Sequence, residues 1–103
     1  MKSLTIIIHT DDQQELTNQL RTIGQVQGFT MNHVEGHGIE LEHDAFLSAR
    51  DKVVGGCPRV RADIVLQDSD LDDVLSALRA AREDGKMKGT YYWVTAVEQD
   101  GHL

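Results

Sequence analysis

A mixed group of side chains that could do chemistry falls between positions 30 and 61. His33, Glu35, His37, Glu40, Glu42, His43 and Cys57 are all of metal-ligating type. Their spacing limits what they can do. On a strand, His33 and His37 share a face but lie roughly 13 Å apart at ~3.3 Å per residue, too far for one ion. His33 with Glu35, or Glu35 with His37, could share one, as could residues that fold back from the following segment. No Cys-x-x-Cys pair completes a closed zinc site. The residues therefore read as a solvated acidic segment with no metal, unless two chains contribute ligands across an interface.

Gly36-x-Gly38 ends this stretch, and two glycines so spaced let the backbone bend or come close to a ligand. The same pair also suits a strand end that simply turns. There is no Gly-x-Gly-x-x-Gly and no Walker motif, so the standard dinucleotide and P-loop phosphate cradles are absent. Arg59, Arg61, Lys86 and Lys88 are the cations near strand ends and loops. Cys57 precedes Pro58 with no local signature that would activate it, and reads as a structural thiol. Ser48 lacks a Gly-x-Ser-x-Gly context. No enzyme is expected.

The elements that must position these residues are legible from periodicity. Leu4 to His9 is β-rich and apolar on both faces, as in a central strand. Asp12 with Glu15 resembles a capping box, Leu16, Leu20 and Ile23 recur at helical spacing, and Gly24 or Gly28 is expected to end that helix. A second strand follows from Gly28, with Phe29 and Met31 on one face and Thr30 and Asn32 on the other. The third, about Arg59 to Gln67, alternates Val60, Ala62, Ile64 and Leu66 with Arg61, Asp63, Val65 and Gln67. Ser69 is the expected cap of a second helix, whose Leu71, Val74, Leu75 and Leu78 form one apolar stripe, with Gly85 beyond its end. Tyr91 to Val97 makes the last strand.

The order βαββαβ predicts an α+β, ferredoxin-like sandwich with a four-stranded antiparallel sheet and a long loop between strands 2 and 3. Two helices cover one face of such a sheet. The other would carry Ile7, Val65, Trp93 and Val97, too much apolar surface for a monomer, so oligomerisation is expected.

Composition sets the bounds. A chain of 103 residues is read as a single domain, 1–103, and 40% hydrophobic residues suffice for a modest core. A net charge of −7 argues against nucleic acid or an anionic membrane surface as partner. One cysteine excludes an internal disulfide, and the apolar run Leu4–Ile8 is too short for a signal-peptide core or a membrane span. The expected location is cytoplasmic.

Gly28-Phe29-Thr30, then Val34-x-Gly36-x-Gly38, then a long segment closed by Pro58-Arg59 and the strand Val60-Arg61-Ala62-Asp63-Ile64-Val65, resembles the P-II nitrogen-regulatory proteins. The similarity runs on through Gly85-Lys86 and Tyr92-Trp93-Val94-Thr95-Ala96-Val97. It implies a cytoplasmic regulatory homotrimer, its sheets facing inward. A small effector would sit in the clefts between subunits, near Thr30, Gly36, Gly38, Arg59, Gly85 and Lys86. Residues 39–57 would form a loop that docks on a partner protein. In that family the basic residue after the loop-closing proline and the Gly-Lys of the second loop help to bind ATP phosphates. This chain departs from the pattern: Gly85-Lys86-Met87-Lys88-Gly89-Thr90-Tyr91 lacks two glycines and the second lysine of Gly-Lys-x-Gly-x-Gly-Lys, and no Arg-x-Arg follows the last strand. A triphosphate would meet fewer cations, and the identity of the cofactor or effector is left open. The 39–57 segment holds no tyrosine to modify. The alternative implied by resemblance is a metal-binding or heavy-metal-tolerance accessory protein of CutA-like architecture, which shares the βαββαβ trimer plan.

Overall fold

Strand β1 (Lys2–His9) lies inside a four-stranded sheet of order β2-β3-β1-β4, with β2 spanning Thr30–Gly36, β3 Cys57–Leu66 and β4 Tyr91–Ala96. In this computed structural model the described residues are 1–38, 56–83, 85, 87 and 89–103. All three pairings are antiparallel: Ile6 faces Ala62 of β3 and Tyr92 of β4, and Asn32 of β2 faces Arg61. Helix α1 (Gln13–Thr22) follows β1, and α2 (Leu71–Glu83) follows β3. The architecture is the expected ferredoxin-like α+β sandwich.

Alternation along the strands decides which face is core. Leu4, Ile6 and Ile8 of β1 and Val60, Ala62, Ile64 and Leu66 of β3 are buried together with Leu16 and Leu20 of α1 and Val74, Leu75 and Ala81 of α2. Each fully buried Leu or Ile contributes about 1.5–3 kcal/mol relative to an exposed one. Phe29 and Met31 of the β2 region and Val94 of β4 pack at the margin of this cluster, as do Leu71 and Leu78 of α2. The stripe Leu71, Val74, Leu75, Leu78 therefore faces the sheet as its period requires.

The helix starts differ from the capping expectation. Both strands run into a 3₁₀ turn before the helix begins: Thr10–Asp12 ahead of α1 and Asp68–Asp70 ahead of α2. Asp12 precedes α1 but makes no side-chain cap hydrogen bond, and Ser69 lies inside its 3₁₀ turn rather than at the helix boundary. The turns put Asp11, Asp12, Asp68 and Asp70 near the positive helix ends instead, where carboxylates are favoured without a specific cap. Neither Gly24 nor Gly28 ends α1. Ile23 terminates it by turning extended, at φ −88° and ψ 111°, so no left-handed glycine is needed. At the end of α2, Gly85 does adopt φ +86°, and its N–H donates to the Arg82 carbonyl at 2.9 Å.

No helix among the described residues is long and apolar enough to cross a membrane.

Candidate functional site

The sheet face opposite the helices is built from the alternate residues of the same strands. Thr5 and Ile7 of β1, Arg61, Asp63 and Val65 of β3 and Tyr91 and Trp93 of β4 fall on it by register. Val65, Tyr91 and Trp93 are 43%, 65% and 36% exposed, so large apolar side chains stand uncovered in the single chain. Polar contacts organise the middle of this face. The Thr5 hydroxyl donates to Asp63 at 2.6 Å, and Arg61 Nε donates to the same carboxylate at 3.0 Å. The Arg61 guanidinium lies 5.6 Å from the centre of the Trp93 ring, which is itself 6.0 Å from the Tyr91 ring at a 53° tilt.

At one end of this face a cleft of about 540 Å³ crosses all four strands. Ile7, Val34, Arg59, Tyr91 and Trp93 come from β1, β2, β3 and β4, and register explains the convergence: Arg59 pairs with both His9 and Val34, and Ile7 with Tyr91. Gly36 and Gly38 line it where β2 ends, with Glu35 and His37 beside them. Glu35 Oε2 and His37 Nε2 lie 2.9 Å apart. Gly89, at φ +76°, reaches the cleft from the turn before β4. The size lies within the ≈ 300–1,000 Å³ range of small-molecule sites.

Three of the six residues singled out from the sequence, Gly36, Gly38 and Arg59, thus share one cleft. Thr30 opens β2, six residues from Gly36, and pairs with Asp63 in mid-sheet, roughly 20 Å away at ~3.3 Å per residue. Gly85 caps α2, and Gly89 rather than Gly85 is the glycine of that turn at the cleft wall. Lys86 lies outside the described residues, as does the 39–55 part of the segment between β2 and β3. Sequence reasoning missed the aromatic wall, because Tyr91 comes from a distant strand. The clue was the run Tyr91-Tyr92-Trp93, whose first and third members must share a face.

Electrostatics at this end are mixed. Arg59 is only 3% exposed. Nearby Asp12 is held above the ordinary carboxylate value chiefly by burial; His9 and Arg59 pull it down, and Asp11 and Glu15 push it up. Across the cleft, glycines that admit close backbone approach, one arginine and two aromatic rings are suited to a flat, anionic small molecule. Among the described residues no group of three or more His, Cys, Asp or Glu is placed to hold a metal ion.

A family model described as "Protein of unknown function (DUF3240)" matches residues 1–103, the whole chain. The chain belongs to the DUF3240 family. The solved structure of a DUF3240 family protein from Shewanella baltica OS155 superposes with a TM-score of 0.77 at 18% identity, covering 99% of this chain and 94% of the other. The DUF3240 chain is also 30% identical to Nitrogen regulatory protein GlnK of Escherichia coli K12 over 87 residues, 84% of this chain and 77% of that protein. It is 28% identical to Nitrogen regulatory protein P-II of Rhizobium meliloti over 99 residues, 96% of this chain and 88% of the relative. The P-II resemblance read from the motifs is therefore borne out, and the relatives are named as regulators rather than enzymes.

Proposed function

We propose that this protein is a P-II-like regulator that works as a homotrimer inside the cell. In the trimer the uncovered sheet faces pack inward, and an anionic small effector binds in the cleft that each chain completes with its neighbour. The observation that carries this reading is the cleft itself: Gly36, Gly38 and Arg59 converge there with two aromatic rings, on the face the helices leave bare. Effector binding would bias the 39–57 segment, which would engage a partner protein. The similarity to P-II and GlnK regulators supports the role, and the exposed Val65, Tyr91 and Trp93 support the assembly. Neither names the effector. The two glycines and the second lysine missing from Gly85–Tyr91 argue for a ligand less charged than a triphosphate.

The test is calorimetric titration of the metal-stripped protein with ATP, ADP, AMP, cyclic AMP, 2-oxoglutarate and bicarbonate. One of these should bind, and Arg59→Lys should weaken it by about tenfold, because a point charge replaces a planar fork. Silence across the panel would sink the effector reading.

One observation favours a second reading. The Glu35–His37 contact at 2.9 Å sets two metal-ligand types side by side at the cleft mouth. A divalent cation held there would take its remaining ligands from another chain or from the 39–57 segment, as in a metal-tolerance accessory protein. That version predicts Zn²⁺, Cu²⁺, Ni²⁺ or Co²⁺ binding that His37→Ala abolishes and Arg59→Lys spares.

A further inference from the structure

On the helix side of the sheet, away from the cleft, lies a second cavity of about 110 Å³. Its floor is apolar: Ile6 of β1, Leu16 of α1, and Leu75 and Leu78 of α2. Met87 closes one side. It is 3% exposed and takes φ +54°, a left-handed conformation that costs a non-glycine residue free energy. Burial of its side chain offsets that cost, and the Thr90 hydroxyl donates to its carbonyl.

The rim is cationic. Arg79 and Arg82 stand three apart on one face of α2, and both line the opening. Arg79 donates to the Tyr92 hydroxyl at 3.0 Å, with its guanidinium 6.0 Å from the ring centre. That contact holds the guanidinium beside Tyr92, another lining residue, through one of its N–H groups. No acidic side chain lines the cavity among the described residues.

An apolar pocket under a pair of arginines has the character of a site for an amphipathic anion. We propose that it binds a short aliphatic carboxylate, with the tail among Leu16, Leu75, Leu78 and Met87 and the carboxylate between Arg79 and Arg82. At about 110 Å³ it is smaller than the ~150 Å³ engineered apolar cavity that accepts benzene, so it takes a terminal segment of about four carbons, with the carbon next to the carboxylate at the arginine rim. Guanidinium donors match a carboxylate in geometry and charge. This site is independent of the proposed effector cleft, which lies across the sheet, so either can fail without the other.

The chain has three methionines, and of these only Met87 lines the cavity. Methyl NMR of the full chain labelled at methionine therefore reads the site directly during titration with hexanoate. Met87 should shift and saturate while Met1 and Met31 stay still. Hexanol should bind more weakly, and acetate should leave the spectrum unchanged. The double variant Arg79→Gln, Arg82→Gln should lose about tenfold or more in hexanoate affinity while hexanol binding is unchanged. Both arginines are exposed, so the variant should fold. Leu78→Phe, which fills the cavity, should abolish both ligands. A motionless Met87 at saturating hexanoate, or a charge-neutralised variant that still prefers hexanoate to hexanol, would overturn the proposal.

Discussion

Thr5 of β1 and Asp63 of β3 face each other across the two central strands, and the Thr5 hydroxyl donates to Asp63 at 2.6 Å on the face no helix covers. Arg61 completes the cluster from two residues away, on the same strand and the same face. Burial pushes the Asp63 carboxyl up, but the hydrogen bonds from Arg61 and Thr5, with the Arg61 charge, outweigh it and hold the carboxyl below its ordinary value.

A pH dependence follows. Because the folded-state value is lowered, the unfolded chain takes up this proton more readily. The stabilisation is complete at neutral pH and is lost as pH falls below about 4, through the lowered folded value. Asp63→Asn should cost about 1 kcal/mol at pH 7. Its melting temperature should converge on that of the wild type under acid, and a difference that persists there would contradict the assignment.

Gly85 holds the left-handed position at the end of α2. Gly85→Ala should cost about 1 kcal/mol, or roughly 4–8 °C in a domain of this size, with Gly85→Asn less damaging. Thermal unfolding followed by circular dichroism measures both. Gly24, expected from the sequence to play the same role for α1, lies beside an extended Ile23 and takes no left-handed φ. Gly24→Ala should be close to neutral.

Core truncation sets the scale for these effects. Leu20 is fully buried between α1 and the sheet, and Leu20→Ala should cost 2–5 kcal/mol, a large share of the ~5–15 kcal/mol that holds a typical domain folded. Chemical denaturation should show the midpoint drop with an unchanged slope.

How far the sequence revealed this molecule depends on whether the signal was local. The alternation Val60-Arg61-Ala62-Asp63-Ile64-Val65 assigned the faces of β3 correctly, because burial on a sheet repeats every two residues. The stripe Leu71, Val74, Leu75, Leu78 did the same for α2. Caps were read less well. Asp12 does sit at the N-cap position of α1 but makes no side-chain cap hydrogen bond, and a 3₁₀ turn between strand and helix takes Ser69 away from the boundary of α2. At the site, Gly36, Gly38 and Arg59 were named from motifs, whereas the Tyr91 wall and Gly89 entered through tertiary registration, which no local pattern encodes. The resemblance to P-II proteins carried the rest.

The uncovered face offers its own perturbation. Trp93→Glu places a charge beside Tyr91 and Arg61 without touching the helix-side core, so the monomer should stay folded while assembly fails. Circular dichroism should be nearly unchanged while the hydrodynamic size falls. A variant that keeps the wild-type size would show that this face is not the interface.

The proposed effector site is shared between chains, so the assembly state bears on it most directly. Sedimentation velocity of the wild-type protein at micromolar concentration should give one species of three times the 11.5 kDa chain. A species of one chain mass, unchanged as concentration rises, would contradict the inward-facing trimer and with it an effector site shared between chains.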